Sequence, residues 1–146
     1  MRREKIDKND KEGNMAKIIS TDKAPRAAGP YSQGMLTGGI LFVSGQLPVD
    51  PTLGCPVDGI EAQAVQCCEN VGEILHAAGM SFENVVKTTC FLSDMEYFGK
   101  FNEIYEKYFV SKPARSCVAV KEIPKGVLCE IEAIAAINTF GGCKDA

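Results

Sequence analysis

Two amphipathic helical stripes, separated by a strand-like segment, constrain the fold more than any other feature of this sequence. Apolar residues at helical spacing predict one helix over about 59–78 and a second over about 94–110. Between them, residues 85–92 are rich in β-branched side chains, which favour a strand. Strands that alternate with helices require crossover connections, which place the helices on the sheet. The expected architecture is a two-layer α+β sandwich with both helices on one face.

The ends of both predicted helices carry capping signals. Asp58 and Glu61 have the spacing of a capping box, as do Ser93 and Glu96, and Gly79 stands where a left-handed C-terminal residue belongs. The first buried stripe is predicted to consist of Ala64, Cys67, Cys68, Val71, Ile74, Leu75 and Ala78. The second is predicted to consist of Phe98, Phe101, Ile104, Tyr105, Tyr108 and Phe109. Each helix is therefore expected to bury one side only.

The N-terminal part of the chain predicts a β-hairpin. Residues 31–36 and 40–44 have strand character, and Thr37-Gly38-Gly39 joins them. Adjacent glycines supply the positive φ values that tight hairpin turns need. With two further strand-like segments near the C-terminus, the predicted order is a hairpin followed by β-α-β-α-β-β in a mixed sheet. One sheet face then has no helix to cover it, which favours association with further copies of the chain.

Length and composition predict one domain over 15–140. Residues 1–14 are almost wholly polar and lack periodicity, so we expect a disordered extension, and 141–146 are expected to form a flexible tail. Charged residues follow Met1 where a signal peptide would have an apolar segment, so a cytoplasmic location is expected. There, seven cysteines without repeated C-x-x-C spacing are expected to be reduced thiols.

The distribution of charge along the chain indicates which classes of partner to expect. The formal net charge is −3, and no Lys or Arg occurs between Arg26 and Lys87. Six acidic residues lie in that stretch, namely Asp50, Asp58, Glu61, Glu69, Glu73 and Glu83. Nucleic-acid affinity rests mainly on Lys and Arg contacts to phosphates, so no nucleic-acid partner is expected. No apolar run approaches the length of a transmembrane helix, so no membrane partner is expected.

Two strand-like segments near the C-terminus, 113–120 and 127–133, each carry a charged residue. Their closeness in sequence, across the turn signal of Pro124–Gly126, favours pairing them as a hairpin. Arg115 offers a guanidinium fork that can bind a carboxylate with two parallel hydrogen bonds. Glu130 is a carboxyl in an apolar run, where burial can raise its pKa towards working pH. These residues suit proton transfer on a small organic acid, or form a structural ion pair between neighbouring strands.

Other catalytic chemistries find little support. His76 is the only histidine and lies on the polar side of the first predicted helix, so a nucleophilic system has one candidate base. Cys67 and Cys68 belong to the core stripe rather than to a zinc-binding pattern. Cys117 is a candidate site thiol because it lies two residues from Arg115, on the same strand face. The alternative for Cys117 is a small buried side chain.

Four motifs resemble the reactive intermediate deaminase family, RidA or YjgF. They are Ala28–Gly34, Phe42–Pro48, Pro113–Val118 and Cys129–Ala135, and the resemblance covers about 17–137. It implies a chorismate-mutase-like fold and a homotrimer with sites in the clefts between subunits. It also implies that the last strand inserts between the two strands joined by the first helix, so that the two charged strands are not neighbours.

The resemblance further implies hydrolysis of enamines and imines, such as 2-aminoacrylate and 2-iminobutanoate, to 2-keto acids and ammonia. Arg115 matches the arginine that binds the substrate carboxylate, and Glu130 matches the glutamate that positions or activates water. The residues matching the rest of the pocket are Tyr31, Ser44, Gly45, Asn102 and Cys117. Neither a metal nor another cofactor is expected. A ribonuclease or translation inhibitor, and a trimeric ligand-binding or chaperone-like protein without turnover, are the alternatives.

Overall fold

The computed structural model describes residues 15–137. The strands are β1 (Lys17–Ile19), β2 (Gly34–Thr37), β3 (Ile40–Gln46), β4 (Val49–Asp50), β5 (Cys55–Pro56), β6 (Val85–Leu92), β7 (Ala114–Ala119) and β8 (Cys129–Ala136). The α-helices are α1 (Ile60–Ala77) and α2 (Phe98–Tyr108). Within 15–137, neither helix is long and apolar enough to cross a membrane. The extension predicted over 1–14 and the tail predicted over 141–146 lie outside the described residues.

Six strands form one mixed sheet in the order β1-β2-β3-β8-β6-β7, and β4 pairs with β5 separately. Strand β8 lies antiparallel between β3 and β6, the two strands that α1 connects. Strand β7 runs parallel to β6 at the edge of the sheet. Pairing the strands of Arg115 and Glu130 as a hairpin is therefore wrong, because β6 separates them. The insertion of the last strand that the family resemblance implies is confirmed.

The predicted hairpin of β2 and β3 is confirmed. Gly38 and Gly39 both have positive φ values, +55° and +76°, and they join Thr37 to Ile40. Strand β2 begins at Gly34 rather than at residue 31. The three preceding residues instead belong to a loop that is tied to the N-terminal segment by side-chain hydrogen bonds, described below.

The ends of the helices differ in part from their predicted signals. Helix α1 has Gly59 as its N-cap, at φ +86°, and no side chain caps it. The predicted capping box of Asp58 and Glu61 is therefore wrong, because each residue lies one position before the one that a capping box requires, N-cap for the first and N3 for the second. Gly79 has the expected left-handed conformation, with φ +73°. The chain entering α2 is capped by Asp94, not by Ser93.

That cap changes where the second helix begins. The Asp94 carboxylate accepts a hydrogen bond of 2.8 Å from the backbone N–H of Glu96, which opens a short 3₁₀ turn over Met95–Tyr97. Helix α2 follows from Phe98, later than predicted, and ends at Tyr108. The second helix is therefore shorter than predicted at both ends, although its aromatic side is the one that packs on the sheet.

Both helices cover one face of the sheet, as predicted, and the opposite face has no helix among residues 15–137. Alternate residues of β8 show the division, because Cys129, Ile131, Ala133 and Ala135 are buried while Glu132 is exposed. Register places Glu130 beside Phe91 of β6, and Phe91 beside Val118 of β7, in one row on the open face. The predicted two-layer α+β sandwich is confirmed, and it exposes apolar side chains on that open face.

Candidate active site

Arg115 lies on the edge strand β7, where its side chain turns towards α2. Its Nη1 donates a hydrogen bond of 2.7 Å to Oδ1 of Asn102. The guanidinium carbon lies 4.7 Å from the ring centre of Tyr105 and 5.6 Å from that of Phe98. A cation held against aromatic rings is stabilised by their negative faces and fixed in orientation. The arrangement presents a half-buried, pre-oriented guanidinium with N–H donors beyond the one that Asn102 uses.

The ring that supports Arg115 is itself held in place. The hydroxyl of Tyr105 forms a hydrogen bond of 2.7 Å with Oγ1 of Thr88, which is fully buried on β6. Thr88 is the register partner of Arg115, so strand and helix converge on the same guanidinium. The Tyr105 ring also stacks on Phe109, with ring centres 4.3 Å apart. Burial raises the pKa of Tyr105 to about 12, so its hydroxyl stays protonated at neutral pH.

Glu130 occupies the open face, where β3 and β8 meet irregularly. The register between these strands shifts between Val43 and Gln46, and Gly45 lies in that shift. The Glu130 carboxylate packs so closely on Gly45 that any side chain there would overlap it. Burial, and then the nearby charge of Glu132, raises the pKa of Glu130. A half-buried carboxyl with a raised pKa suits proton transfer near neutral pH.

Tyr31 and Ser44 lie on the N-terminal side of this irregularity. Ser44 donates a hydrogen bond of 2.5 Å to the carbonyl oxygen of Ser32, and its backbone N–H donates to that of Gln33 at 2.9 Å. Tyr31 is largely exposed and lines a cavity of about 460 Å³ together with Arg26 and Gln33. A second cavity, of about 340 Å³, lies over the open face against Ser44 and Glu132. Both cavities are bounded by residues close to Ser44.

The predicted site residues fall into two groups within one chain. Arg115, Asn102 and Cys117 lie on the helix-covered side, since Arg115 and Cys117 pair with buried residues of β6. Ser44, Gly45 and Glu130 lie on the other side, with Tyr31 linked to them through Ser32. The ion pair among residues 15–137 joins Lys100 and Glu61, and none joins Arg115 to Glu130. The structural ion pair considered above is therefore wrong.

The structure also places the remaining candidate residues. His76 is exposed in the last turn of α1, and Cys67 and Cys68 are fully buried in the core, as predicted. Among residues 15–137, no three His, Cys, Asp or Glu side chains are grouped so as to bind a metal ion. Cys117 is half-buried on the same face as Arg115.

Four residues important to the site are not among those predicted from the sequence. Phe98 and Tyr105 follow the helical spacing of Asn102, so one helix face carries all three contacts to Arg115, and this spacing was the available signal. Thr88, which holds Tyr105, is a buried polar residue that the strand pattern does not distinguish.

Gln33 is the fourth, and it organises the loop before Tyr31. Its amide nitrogen donates to the carbonyl oxygens of Thr21 at 3.0 Å and Pro25 at 2.7 Å, and its Oε1 accepts from the backbone N–H of Thr21 at 2.7 Å. The side chain is buried, although it stands beside an exposed loop. Its presence within the Ala28–Gly34 motif was the only sequence signal.

The fold and these two groups of residues define a class of protein: a two-layer α+β sandwich with a pre-oriented arginine at a sheet edge and a raised-pKa glutamate on the open face. Residues 21–137 match the family described as Endoribonuclease L-PSP. A 2-iminobutanoate/2-iminopropanoate deaminase of Mus musculus is 50% identical over 126 residues, which cover 85% of this chain and 93% of the relative. The chain belongs to this family, the one that its motifs resemble under the names RidA and YjgF.

Solved structures agree with that assignment. The YjgF gene product of E. coli superposes with a TM-score of 0.81 at 44% identity, covering 84% of this chain and 99% of that one. The structure of E. coli TdcF with bound serine gives the same four values. At this identity and coverage, the likeness extends over the whole described domain.

Proposed function

We propose that this protein hydrolyses short 2-imino acids, and the enamines that tautomerise to them, to 2-keto acids and ammonia. The proposal rests on the surroundings of Arg115. Its guanidinium is held by Asn102 and two aromatic rings and has no carboxylate partner among residues 15–137. Such a guanidinium suits a substrate carboxylate. The deaminase name of the mouse relative and the serine bound to TdcF, which carries a carboxylate, support this reading.

In the proposed reaction, Arg115 binds the substrate carboxylate and Glu130 accepts a proton from water. The water oxygen attacks the C=N carbon, and the nitrogen takes up a proton to give a tetrahedral carbinolamine. Ammonia then leaves as the C=O bond forms, so one imine and one water give one keto acid and one ammonia. Gly45 packs against Glu130. The pocket is lined by Tyr31, Ser44, Gly45, Asn102 and Cys117. Because a protonated imine is a strong electrophile, orientation and one proton acceptor suffice.

The complete site is proposed to form between copies of the chain, in a homotrimer. Within one chain, β6 separates β7 from β8, and the side chains of Arg115 and Glu130 point to opposite faces. Phe42 and Val118 are 46% and 45% exposed on the open face, which offers apolar surface to a partner. A neighbouring copy seated there can bring its Arg115 edge towards Glu130. A solution mass of one chain at micromolar concentration would refute this assembly.

A coupled assay tests the proposed activity. We expect 2-iminobutanoate, generated in situ from an amino acid, to yield 2-ketobutyrate faster with the protein than without it. Glu130→Gln serves as the matched control, since it preserves the size of the side chain but not its basicity. Binding of 2-ketobutyrate without acceleration of hydrolysis would instead support the ligand-binding alternative.

The endoribonuclease alternative follows from the family's description. Against it stands the absence of Lys and Arg between Arg26 and Lys87, a stretch that includes Tyr31, Ser44 and Gly45. We propose that nucleic acid is not a partner and that the protein acts in the cytoplasm. Cleavage of RNA by the wild-type protein, lost in Glu130→Gln, would contradict this.

A further inference from the structure

Two cysteines face each other across β6 and β7, next to Arg115. Cys90 and Cys117 are direct register partners in parallel strands, so their side chains share one face of the sheet. Neighbouring strands lie about 4.8 Å apart, and disulfides join Cα atoms roughly 4.4–6.8 Å apart. A bond between these two sulfurs therefore requires little movement of the backbone.

The two thiols differ in a way that assigns them different roles. Cys117 is half-buried, and the neighbouring Cys90 thiol, with the positive charge of Arg115, lowers its pKa to about 7 in spite of burial. Cys90 is fully buried, and its neighbour Cys117 and its burial raise its pKa, so it remains a thiol. Thr88 and Tyr105 are the other polar groups beside them. The accessible sulfur is thus the nucleophile, with a second thiol at the register position beside it on the neighbouring strand.

We propose that Cys90 and Cys117 form a peroxide-reactive dithiol, which a hydroperoxide converts to a disulfide beside the Arg115 pocket. The Cys117 thiolate attacks the distal peroxide oxygen, so an S–O bond forms as the O–O bond breaks, and the alcohol leaves after taking a proton. The sulfur is oxidised by two electrons to a sulfenic acid. Cys90 then attacks that sulfur, the S–S bond forms, and the S–O bond breaks with loss of water that carries the Cys90 proton.

A second close pair of thiols provides an internal comparison. The sulfurs of Cys67 and Cys129 lie 3.8 Å apart, and both residues are fully buried. Burial raises the pKa of Cys67 well above its ordinary value, and its sulfur contacts no cation that would counter this. Of the two pairs, only Cys90 and Cys117 combine partial exposure with a neighbouring guanidinium. Oxidation is therefore expected at one pair and not at the other.

Peptide mass mapping tests the proposal without reference to any activity. The full chain, carrying Cys55→Ser and Cys143→Ser to remove an exposed thiol and the one outside the described residues, is treated with hydrogen peroxide at pH 7. We expect a peptide linked through Cys90 and Cys117 as the main product, with Cys67 and Cys129 still reduced. Linkage of Cys67 to Cys129 first, or a Cys117 that stops at sulfenic acid while Cys90 stays free, would overturn the proposal.

Cys90→Val supplies the matched variant, because it keeps the buried volume and removes the resolving thiol. In this variant, peroxide should leave a sulfenic acid at Cys117 that dimedone traps. Alkylation of Cys117 by iodoacetamide at pH 7 should also be roughly threefold slower, because the thiolate fraction falls faster than its nucleophilicity rises. An unchanged alkylation rate would show that Cys90 does not activate Cys117.

A consequence for turnover rests on the proposed function and is measured separately. Because Cys117 lines the pocket of Arg115, the disulfide should inhibit imine hydrolysis, and dithiothreitol should restore it. Cys90→Val should retain turnover and be inhibited less reversibly by the same treatment. If the disulfide forms without inhibition, the dithiol proposal stands and the placement of Cys117 in the pocket is refuted. If the disulfide does not form, the dithiol proposal is refuted and the proposed function is not.

Discussion

Gly45→Ala tests whether the position of Glu130, and not merely its presence, matters for turnover. An added Cβ would overlap the Glu130 carboxylate, and the three atoms nearest to it would all belong to the Glu130 side chain. Glu130 is a flexible side chain on the open face, so it can rotate away, at a cost of about 0.5–1.5 kcal/mol in rotamer strain. The expected loss of stability is therefore small. The carboxylate, however, leaves the place from which it would accept the water proton.

Turnover should fall by roughly a hundredfold, the lower end of the range for loss of a positioned general base. The assay is steady-state hydrolysis of 2-iminobutanoate, with thermal unfolding measured on the same samples. Gly99→Ala is the control, because an added Cβ there meets nothing within 4 Å. Its turnover should match the wild type. If Gly45→Ala hydrolyses imine at the wild-type rate, the close packing of Gly45 and Glu130 has no catalytic role.

Three further predictions concern the charged groups. Arg115→Lys keeps the charge but loses the fork and its contact with Asn102. It should lower kcat/KM by about ten- to a hundredfold, for a loss of roughly 1.5–3 kcal/mol. Normal binding of 2-ketobutyrate by Arg115→Ala would refute the assignment of Arg115 as the carboxylate-binding residue. Glu130→Gln should keep keto-acid binding but reduce turnover by roughly a hundredfold or more; unchanged turnover would make Glu130 structural. Because its pKa is raised, the Glu130 carboxylate is the costlier form in the folded state, so stability from this group is present at low pH and lost as pH rises through that pKa. Glu130→Gln should therefore melt at a higher temperature than wild type near pH 8 and at the same temperature near pH 4. If the variant and the wild type have the same Tm at pH 8 as well as at pH 4, the raised pKa of Glu130 is contradicted.

Periodicity predicted what depends on local sequence. The predicted stripe of α1 is buried except for Ala78, which follows the helix as its C-cap and is half-buried, because small and aliphatic residues at helical spacing have one way to be buried against a sheet. The capping box before α1 failed by one residue, since Gly59 can adopt the cap conformation at φ +86° without any side-chain bond. Helix boundaries depend on such single-residue choices, which the apolar pattern does not encode.

Which strands are neighbours in the sheet depends on the whole chain, and here the residues alone predicted the wrong pairing. Segments 113–120 and 127–133 are separated by a good turn signal, yet β8 crosses to the far side of β6. Only the family resemblance indicated this insertion. The chemistry of Arg115 was predictable from its residue type. The residues that hold its side chain were not, because Thr88 and Tyr105 meet through packing of a strand on a helix.

Mixing two inactive variants tests the shared site most directly. Arg115→Ala and Glu130→Gln chains are unfolded together in equal amounts, refolded, and compared with each variant refolded alone. If every site takes Arg115 from one copy and Glu130 from its neighbour, random assembly makes about one quarter of the sites wild type, because each site draws two chains independently. Imine hydrolysis should then recover to about one quarter of the wild-type rate. A mixture no more active than the separate variants would show that one chain must supply both residues, and would contradict the intersubunit site.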